Sequence, residues 1–262
     1  MADRLARIFG TEEDKVNCPF YFKIGACRHG DRCTRLHNKP LCSQTILMPH
    51  MYENPAVAIA MTEGTRVPEK AIREAVRHYE NFYEEVWLEL SNYGEVLDLN
   101  ACDNMGDHMI GNVYAKFASE EDAENAARNL NGRYYGGRVI SCEFSPVTDF
   151  GEARCRQYDE GNCERGGYCN FMHLKHISRT FRKSLLHQMY YEHPEYKDKQ
   201  KVRKKAEERR KHEEEDTRRR SRSDSRGRHR KKSPSIEPPA PRQTSEERRA
   251  MIAKWNQEGG ND

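Results

Sequence analysis

Between Gln44 and Phe144 the apolar positions switch between two spacings, every second residue and every third or fourth, and each switch predicts a new element. Gln44 to Tyr52 reads as a strand, with Pro49 marking an edge or a bulge because it has no amide hydrogen for the ladder. Asn54 to Thr65 reads as a loop. Pro68 suits the first turn of a helix, and Ile72, Val76, Tyr79, Tyr83, Val86, Leu90 and Tyr93 then recur at three- and four-residue steps until Gly94 stops them. Glu95 to Ala101 is a second predicted strand, Asn104 and Gly106 mark a turn, and Ile110 to Phe117 is a third strand. Ser119 stands where a helix cap belongs, with Glu121 and Asp122 in the first turn and Ala123, Ala126, Ala127 and Leu130 on one face. Asn131-Gly132 turns the chain, and Val139 to Phe144 is the fourth predicted strand. The order βαββαβ predicts an α+β, ferredoxin-like sandwich over residues 41–147.

The flanks follow other patterns. Residues 1–16 place Leu5, Ile8 and Phe9 on one helical face. Residues 17–39 and 153–183 are compact clusters of Cys, His, Gly and aromatics. Residues 196–262 form a charged tail that is expected to be largely disordered, its mixed-charge run from Lys197 to Arg220 a solvated helix or disorder, with only Arg220-Ser221-Arg222-Ser223 and Ser225-Arg226 resembling an Arg-Ser repeat. Near its end, Thr244 and Glu247 resemble a capping box that puts Met251, Ile252 and Trp255 on one side of a short helix.

Charge sharpens this division. The 262 residues carry a formal net charge of +3, but Leu41 to Phe150 holds 8 basic and 18 acidic residues, whereas Glu195 to the end holds 22 basic and 14 acidic. An acidic middle and a basic tail call for different partners. No apolar run reaches the roughly 18–20 residues that a membrane span requires. The nine cysteines point to metal or free thiols rather than to a disulfide framework.

Cys18, Cys27, Cys33 and His37 are spaced C-x8-C-x5-C-x3-H, and Cys155, Cys163, Cys169 and His173 are spaced C-x7-C-x5-C-x3-H. Three thiolates and an imidazole make a closed tetrahedral set for zinc, so two Zn2+ ions are expected, each supplying most of its finger's folding free energy. His29, His50, His78 and His108 read instead as surface or turn residues, and Cys102 and Cys142 as small core residues. Around the ligands, Phe20, Tyr21, Phe22, Arg28, Arg32 and Arg35 in the first cluster, and Arg156, Tyr158, Arg165, Tyr168 and Phe171 in the second, mix aromatic faces with guanidinium groups. That mixture suits unpaired bases, while part of the aromatics must pack on the zinc core. Phe20, Arg28, Thr34, Arg35, Arg156 and Phe171 are the expected RNA contacts.

The middle domain lacks the chemistry of an RNA reader. The third strand of an RNA recognition motif (RRM) follows K/R-G-F/Y-G/A-F-V-x-F/Y, whereas here Ile110 opens the run and Asn112 replaces one stacking aromatic. Its excess of carboxylates also repels phosphate. Glu85 and Glu89, one helical turn apart, with Arg133-Tyr134-Tyr135 after the second helix, read either as a solvated helix face with core tyrosines or as a groove for a basic peptide with a hydrophobic anchor.

Taken together, these features resemble the small subunit of the splicing factor U2AF. The resemblance runs over about Met1 to Arg182 and is carried by Val16-Asn17-Cys18, Phe20 to Cys33, Arg35 to Pro40, Gly111-Asn112-Val113-Tyr114, Ser145 to Phe150 and Cys169 to Lys175. It implies a nuclear, non-catalytic pre-mRNA splicing factor whose fingers recognise the AG at the 3′ end of an intron and whose RRM-like U2AF homology motif grips a Trp-containing basic peptide of the large subunit. Carried onto this chain, Glu85, Glu89, Arg133, Tyr134 and Tyr135 form that partner site. Two departures stand out: Arg133-Tyr134-Tyr135 replaces the family's usual Arg-Trp-Phe, and Thr34 replaces Ser after the third cysteine. The sparse Arg-Ser content gives little basis for contacts with serine/arginine-rich splicing proteins. The alternatives are a CCCH protein of mRNA decay, whose fingers usually sit close together, and a zinc-stabilised interaction scaffold. An enzyme is not expected, since both ligand sets are closed and no nucleophile–base arrangement appears.

Overall fold

The computed structural model describes residues 16–55 and 68–228. The expected helix over 1–16 (apart from Val16), most of the Asn54–Thr65 loop and the Thr244–Trp255 segment lie outside the described residues. The elements run α1 (Pro19–Ile24), β1 (Thr45–Met48), α2 (Glu69–Ser91), β2 (Val96–Ala101), β3 (Val113–Phe117), α3 (Glu120–Leu130), β4 (Tyr134–Tyr135), β5 (Arg138–Val139), β6 (Glu143–Phe144), α4 (Phe150–Ala153), α5 (Arg156–Asp159), α6 (Arg179–Glu192) and α7 (Pro194–Arg228). The chain divides into two units, Met1–Gln200 and Lys201–Asp262.

In the first unit an antiparallel sheet of order β2-β3-β1-β6 realises the expected βαββαβ topology. Ile46 and Met48 of β1 and Val113, Ala115 and Phe117 of β3 pack in one buried cluster with Tyr83, Val86, Trp87 and Leu90 of α2 and with Ala123, Ala126 and Leu130 of α3. Both helices begin where the sequence marks them: Pro68 is the N-cap of α2, and Ser119 Oγ accepts the Asp122 amide at 3.1 Å.

The opposite face of the sheet is covered as well. Leu47 and Tyr114 pack with Ile24 and Ala26 from the first cysteine cluster and with Phe150, Ala153 and Met172 from the second. Gly25, at φ 75°, lets the chain pass close over the sheet: a Cβ there would lie 2.6 Å from Ser145 Oγ and 3.1 Å from the Tyr114 ring. Every residue of β1 is buried for this reason.

Two features depart from the sequence expectation. The predicted Val139–Phe144 strand is broken in two. Gly136 and Gly137, both at positive φ, close a tight β4–β5 hairpin pairing Tyr134 with Val139, and only Glu143–Phe144 rejoins the sheet. Asn104, expected in a turn, is instead buried beneath the second cluster. Over Pro194–Arg228, a run of Lys, Arg and Glu whose helix propensity is high, the tail takes the solvated helix that is one of its two expected states.

One helix was not expected at all. In α6, which Ser178 caps through the Phe181 amide at 3.2 Å, Leu185 and Met189 are buried in the main core and Phe181, Leu186 and Tyr190 pack against it. Arg182 pairs with Asp98 at 2.6 Å, and Tyr190 hydroxyl donates to Glu95 at 2.8 Å.

Candidate metal centres, finger seam and peptide pocket

Each cysteine cluster draws its ligands from one local design. A short helix follows the first cysteine, a 3-10 turn precedes the third (Gly30–Arg32, Gly166–Tyr168), and the histidine returns in an extended segment. The ligand atoms of Cys18, Cys27, Cys33 and His37 lie within 4.8 Å of one another, as do those of Cys155, Cys163, Cys169 and His173. In the second set Cys155 Sγ lies 3.7 Å from Cys163 Sγ and 3.9 Å from Cys169 Sγ. A tetrahedron with Zn–S bonds of about 2.3 Å has edges of about 3.8 Å. His37 Nε2 and His173 Nε2 are buried without a hydrogen-bond partner, which is the state of an imidazole nitrogen reserved for a metal. Burial holds His173 below the usual histidine range and so in the neutral, ligating form. The donors fit two zinc ions.

The two centres share one face of the sheet. Phe20 of the first finger and Phe171 of the second meet edge to face at 6.4 Å, and Arg165 lies 5.7 Å from the Phe171 ring centroid. Beside them a cleft of about 120 Å³ is lined by Phe20, Arg28 and His29 of one finger, Asn170 of the other, and His108 from the β2–β3 loop. Phe20, Arg28 and Phe171 are thus brought together. Thr34, Arg35 and Arg156 are exposed on their fingers and, among the described residues, share no hydrogen bond or ring contact with that seam. His108 lies in a turn, as its sequence reading allows, while Asn170 carries no sequence signal; only the fold brings both to the seam. Tyr21 and Tyr158 stack on the ligand histidines, whereas Phe22 and Tyr168 are 66% and 70% exposed and open to bases.

The sheet itself cannot take that role. Tyr114, which occupies an RNP stacking position, is fully buried under Phe150 and the first finger. Asn112 is turned inward: its Oδ1 accepts the His50 amide at 3.2 Å, and its Nδ2 donates to the His108 carbonyl at 3.0 Å.

Behind the sheet, a cavity of about 220 Å³ brings the five expected partner residues together. Its floor is apolar, from Met48, Val86, Leu90, Leu130 and Ile140. On its rim Arg133 pairs with Glu89 and donates to Tyr93 hydroxyl at 2.7 Å, Tyr93 hydroxyl donates to Glu89 at 2.7 Å, and Tyr135 hydroxyl donates to Glu85 at 2.7 Å. The Tyr93 hydrogen bond and the Arg133 guanidinium hold the Glu89 carboxyl below its ordinary value, so it stays ionised. Each carboxylate keeps one oxygen without a partner among the described residues, suited to an incoming cation. Phe82 fixes the rim by meeting Tyr135 edge to face at 5.7 Å, and Tyr134 is 75% exposed. A larger cleft of about 280 Å³ lies near His50 and Asp103, but its charges are already paired, Arg138 with Glu53 and Lys175 with Asp103.

Comparison with known families agrees with this division. A zinc finger model of the C-x8-C-x5-C-x3-H type matches residues 13–39 and 150–175, and an RNA recognition motif model matches 79–141. Among solved structures, the RNA15 RRM covers 40% of this chain at 21% identity and a TM-score of 0.24, too distant to carry an argument. Curated relatives are much nearer. The splicing factor U2af 38 kDa subunit of Drosophila melanogaster is 57% identical over 187 residues, which is 71% of this chain and 71% of the relative. The U2AF 26 kDa subunit of Rattus norvegicus is 57% identical over 71% of this chain and 84% of its own length. A U2af small-subunit splicing factor of Arabidopsis thaliana is 56% identical over 71% of this chain and 65% of its own length. With two CCCH zinc centres seated on an RRM fold and relatives at this identity, the chain belongs to the splicing factor U2AF small-subunit family.

Proposed function

We propose that this chain is a nuclear, non-catalytic pre-mRNA splicing factor that reads the AG dinucleotide of the 3′ splice site with both zinc fingers while holding the large U2AF subunit in the pocket between α2 and the β4–β5 hairpin. The observation that carries the reading is the seam: two fingers far apart in sequence lie side by side, with Phe20 and Phe171 in contact and Arg28 beside them. One unpaired strand can therefore touch both. Stacking on aromatic faces contributes about 1–3 kcal/mol per base. Arg28, Thr34, Arg35 and Arg156 add base-edge and phosphate contacts, the latter sensitive to salt. The covered sheet leaves RNA contact to the fingers, and the acidic rim around an apolar floor supports a basic peptide with one large hydrophobic anchor.

The test uses the full chain with zinc bound. A short RNA containing UAG is expected to bind tighter than its UAC counterpart at moderate salt, and equal affinities would overturn the AG reading. A basic peptide with a single Trp is expected to bind, and to lose affinity on Glu85→Lys with Glu89→Lys without any change in RNA affinity. Unchanged peptide binding by that variant would overturn the pocket assignment.

A further inference from the structure

Both zinc-ligating histidines lie flat against a tyrosine, and both tyrosines occupy the same place in their finger. Tyr21 stands three residues after Cys18, and its ring is 4.6 Å from that of His37 with 8° between the planes. Tyr158 stands three residues after Cys155, 4.0 Å from His173 at 13°. In each finger the helical turn that follows the first cysteine, α1 or α5, delivers the tyrosine, so one turn supplies both a thiolate and the face against the imidazole.

This arrangement answers a problem of ligand geometry. Rotation about the last side-chain bond of histidine is soft, so an imidazole needs something to aim its ligating nitrogen. Metal-bound histidines usually solve this by donating the other ring N–H to a carboxylate, a carbonyl or a water. Here, among the described residues, neither His37 nor His173 has a side-chain hydrogen-bond partner, and both Nε2 atoms are buried and unpartnered. The planar contact with tyrosine fixes the plane of each imidazole from its face.

We infer that Tyr21 and Tyr158 are positioning residues for the two zinc centres, fixing the imidazole planes, and that Asp103 ties the second centre to the central sheet. Tyr158 hydroxyl donates to Asp103 Oδ2 at 3.3 Å, and Asp103 is held by Lys175 at 3.3 Å and by Asn54 at 2.8 Å. Asp103 reaches the same histidine a second way, its amide donating to the His173 carbonyl at 2.7 Å. Tyr21 hydroxyl has no hydrogen-bond partner among the described residues; it lies in the field of the Lys39–Glu143 ion pair rather than on a carboxylate of its own. The fingers are alike in ligand set and unlike in anchorage: the second zinc centre depends on the strand that ends at Ala101, and the first does not.

The test is zinc release from the full chain to a colorimetric chelator, together with the 113Cd NMR spectrum of the cadmium-substituted protein. Wild type gives two ions and two resonances. Tyr21→Leu and Tyr158→Leu are each expected to hasten the loss of one ion by about 10- to 100-fold, the usual effect of removing an outer contact to a ligand, and to shift one resonance. Phenylalanine keeps the planar face, so Tyr21→Phe is expected to behave as wild type. Tyr158→Phe and Asp103→Ala are expected to affect the second ion alone, by less than Tyr158→Leu does. If the leucine variants release both ions at wild-type rates with unmoved resonances, the positioning role is wrong. If leucine and phenylalanine at position 21 are equally damaging, the ring face is not the cause. If Asp103→Ala hastens both ions equally, the asymmetry fails.

Discussion

Asn104 offers a direct measure of how firmly the second finger is held. Its side chain is 2% exposed; Nδ2 donates to the Cys169 carbonyl at 2.9 Å and the Phe171 carbonyl at 3.0 Å, while Oδ1 accepts the His173 amide at 2.8 Å. Asn104→Ala strands one N–H and two carbonyls in a buried site. A stranded buried group costs about 1–3 kcal/mol, with carbonyls and water-accessible sites at the low end. Three such groups, partly relieved by a water entering the vacated volume, give an expected loss of about 2–4 kcal/mol. The loss should fall on the second finger, because all three bonds end there. At tenfold per 1.4 kcal/mol, opening of that finger becomes about 30- to 1,000-fold more frequent. Two assays read it: native-state hydrogen exchange of amides 155–175, and chelator-driven zinc release, in which one ion of two should leave faster. Asn104→Asp discriminates further, since a carboxylate can accept from His173 but only repels the two carbonyls; it should be at least as damaging as alanine. Wild-type exchange and release in both variants would refute the claim that this amide docks the finger.

Further expectations concern the sheet, the pocket and the metal. Gly111→Ala should lower the denaturant midpoint of the zinc-loaded chain: φ is +66° and a Cβ would lie 2.2 Å from the Tyr52 carbonyl oxygen, so the left-handed backbone alone costs about 1–2 kcal/mol before the clash; an unchanged midpoint would contradict it. The pH dependence of peptide binding follows from Glu89, whose depressed pKa means that its contribution is complete above the ordinary glutamate value of about 4.3 and is lost as pH falls through the lower folded value. The affinity difference between wild type and Glu89→Gln should therefore persist from neutral pH down to that range, and its disappearance by about pH 6 would refute the assignment. Stripping zinc with a chelator should expose the Leu47–Tyr114 face to hydrogen exchange while the α2–α3 side of the sheet stays protected; equal loss of protection on both sides would show one indivisible core.

Much of this was legible in the sequence, and what was missed has specific causes. The ligand spacings and the helix periodicity depend on residues close along the chain, so the zinc sets, α2 and α3 could be read directly. The β4–β5 hairpin was equally local: Tyr134-Tyr135-Gly136-Gly137-Arg138-Val139 carries a two-glycine turn signal that the longer apolar run Val139–Phe144 overshadowed. In the same way, Ile46-Leu47-Met48 reads as an unbroken apolar run rather than an alternation, the mark of a strand buried on both faces. That run was the available hint that something covers the second face. The helix α6 also carried signals, Ser178 at the cap and Leu185 and Met189 four apart, in a stretch between the second cysteine cluster and the charged tail. Asn104, His108 and Asn170 had no local signal for these roles, which come from packing between segments about 60 to 150 residues apart.

The covered face also accounts for the division of labour between the modules. A free RRM sheet reads RNA by stacking bases on exposed aromatics of its central strands. Here the corresponding aromatic is Tyr114, with no exposed surface, and the side chain just before the strand, Asn112, is spent on holding the His50 and His108 backbones. A sheet that has given up its reading face can serve as a mount. Leu47 and Tyr114 bind both fingers by apolar contact, the Cys102–Met105 backbone pairs with the second finger, and Gly25 lets the first lie close against the sheet, where Phe20 meets Phe171 of the second. The proposed recognition surface then lies on the mounted parts, and the proposed peptide pocket lies behind the sheet, where α2 and the β4–β5 hairpin leave an apolar floor uncovered. On the proposed reading RNA and peptide would meet opposite sides of one sheet, so a change such as Glu85→Lys at the pocket rim is expected to alter one binding event without touching a residue of the other.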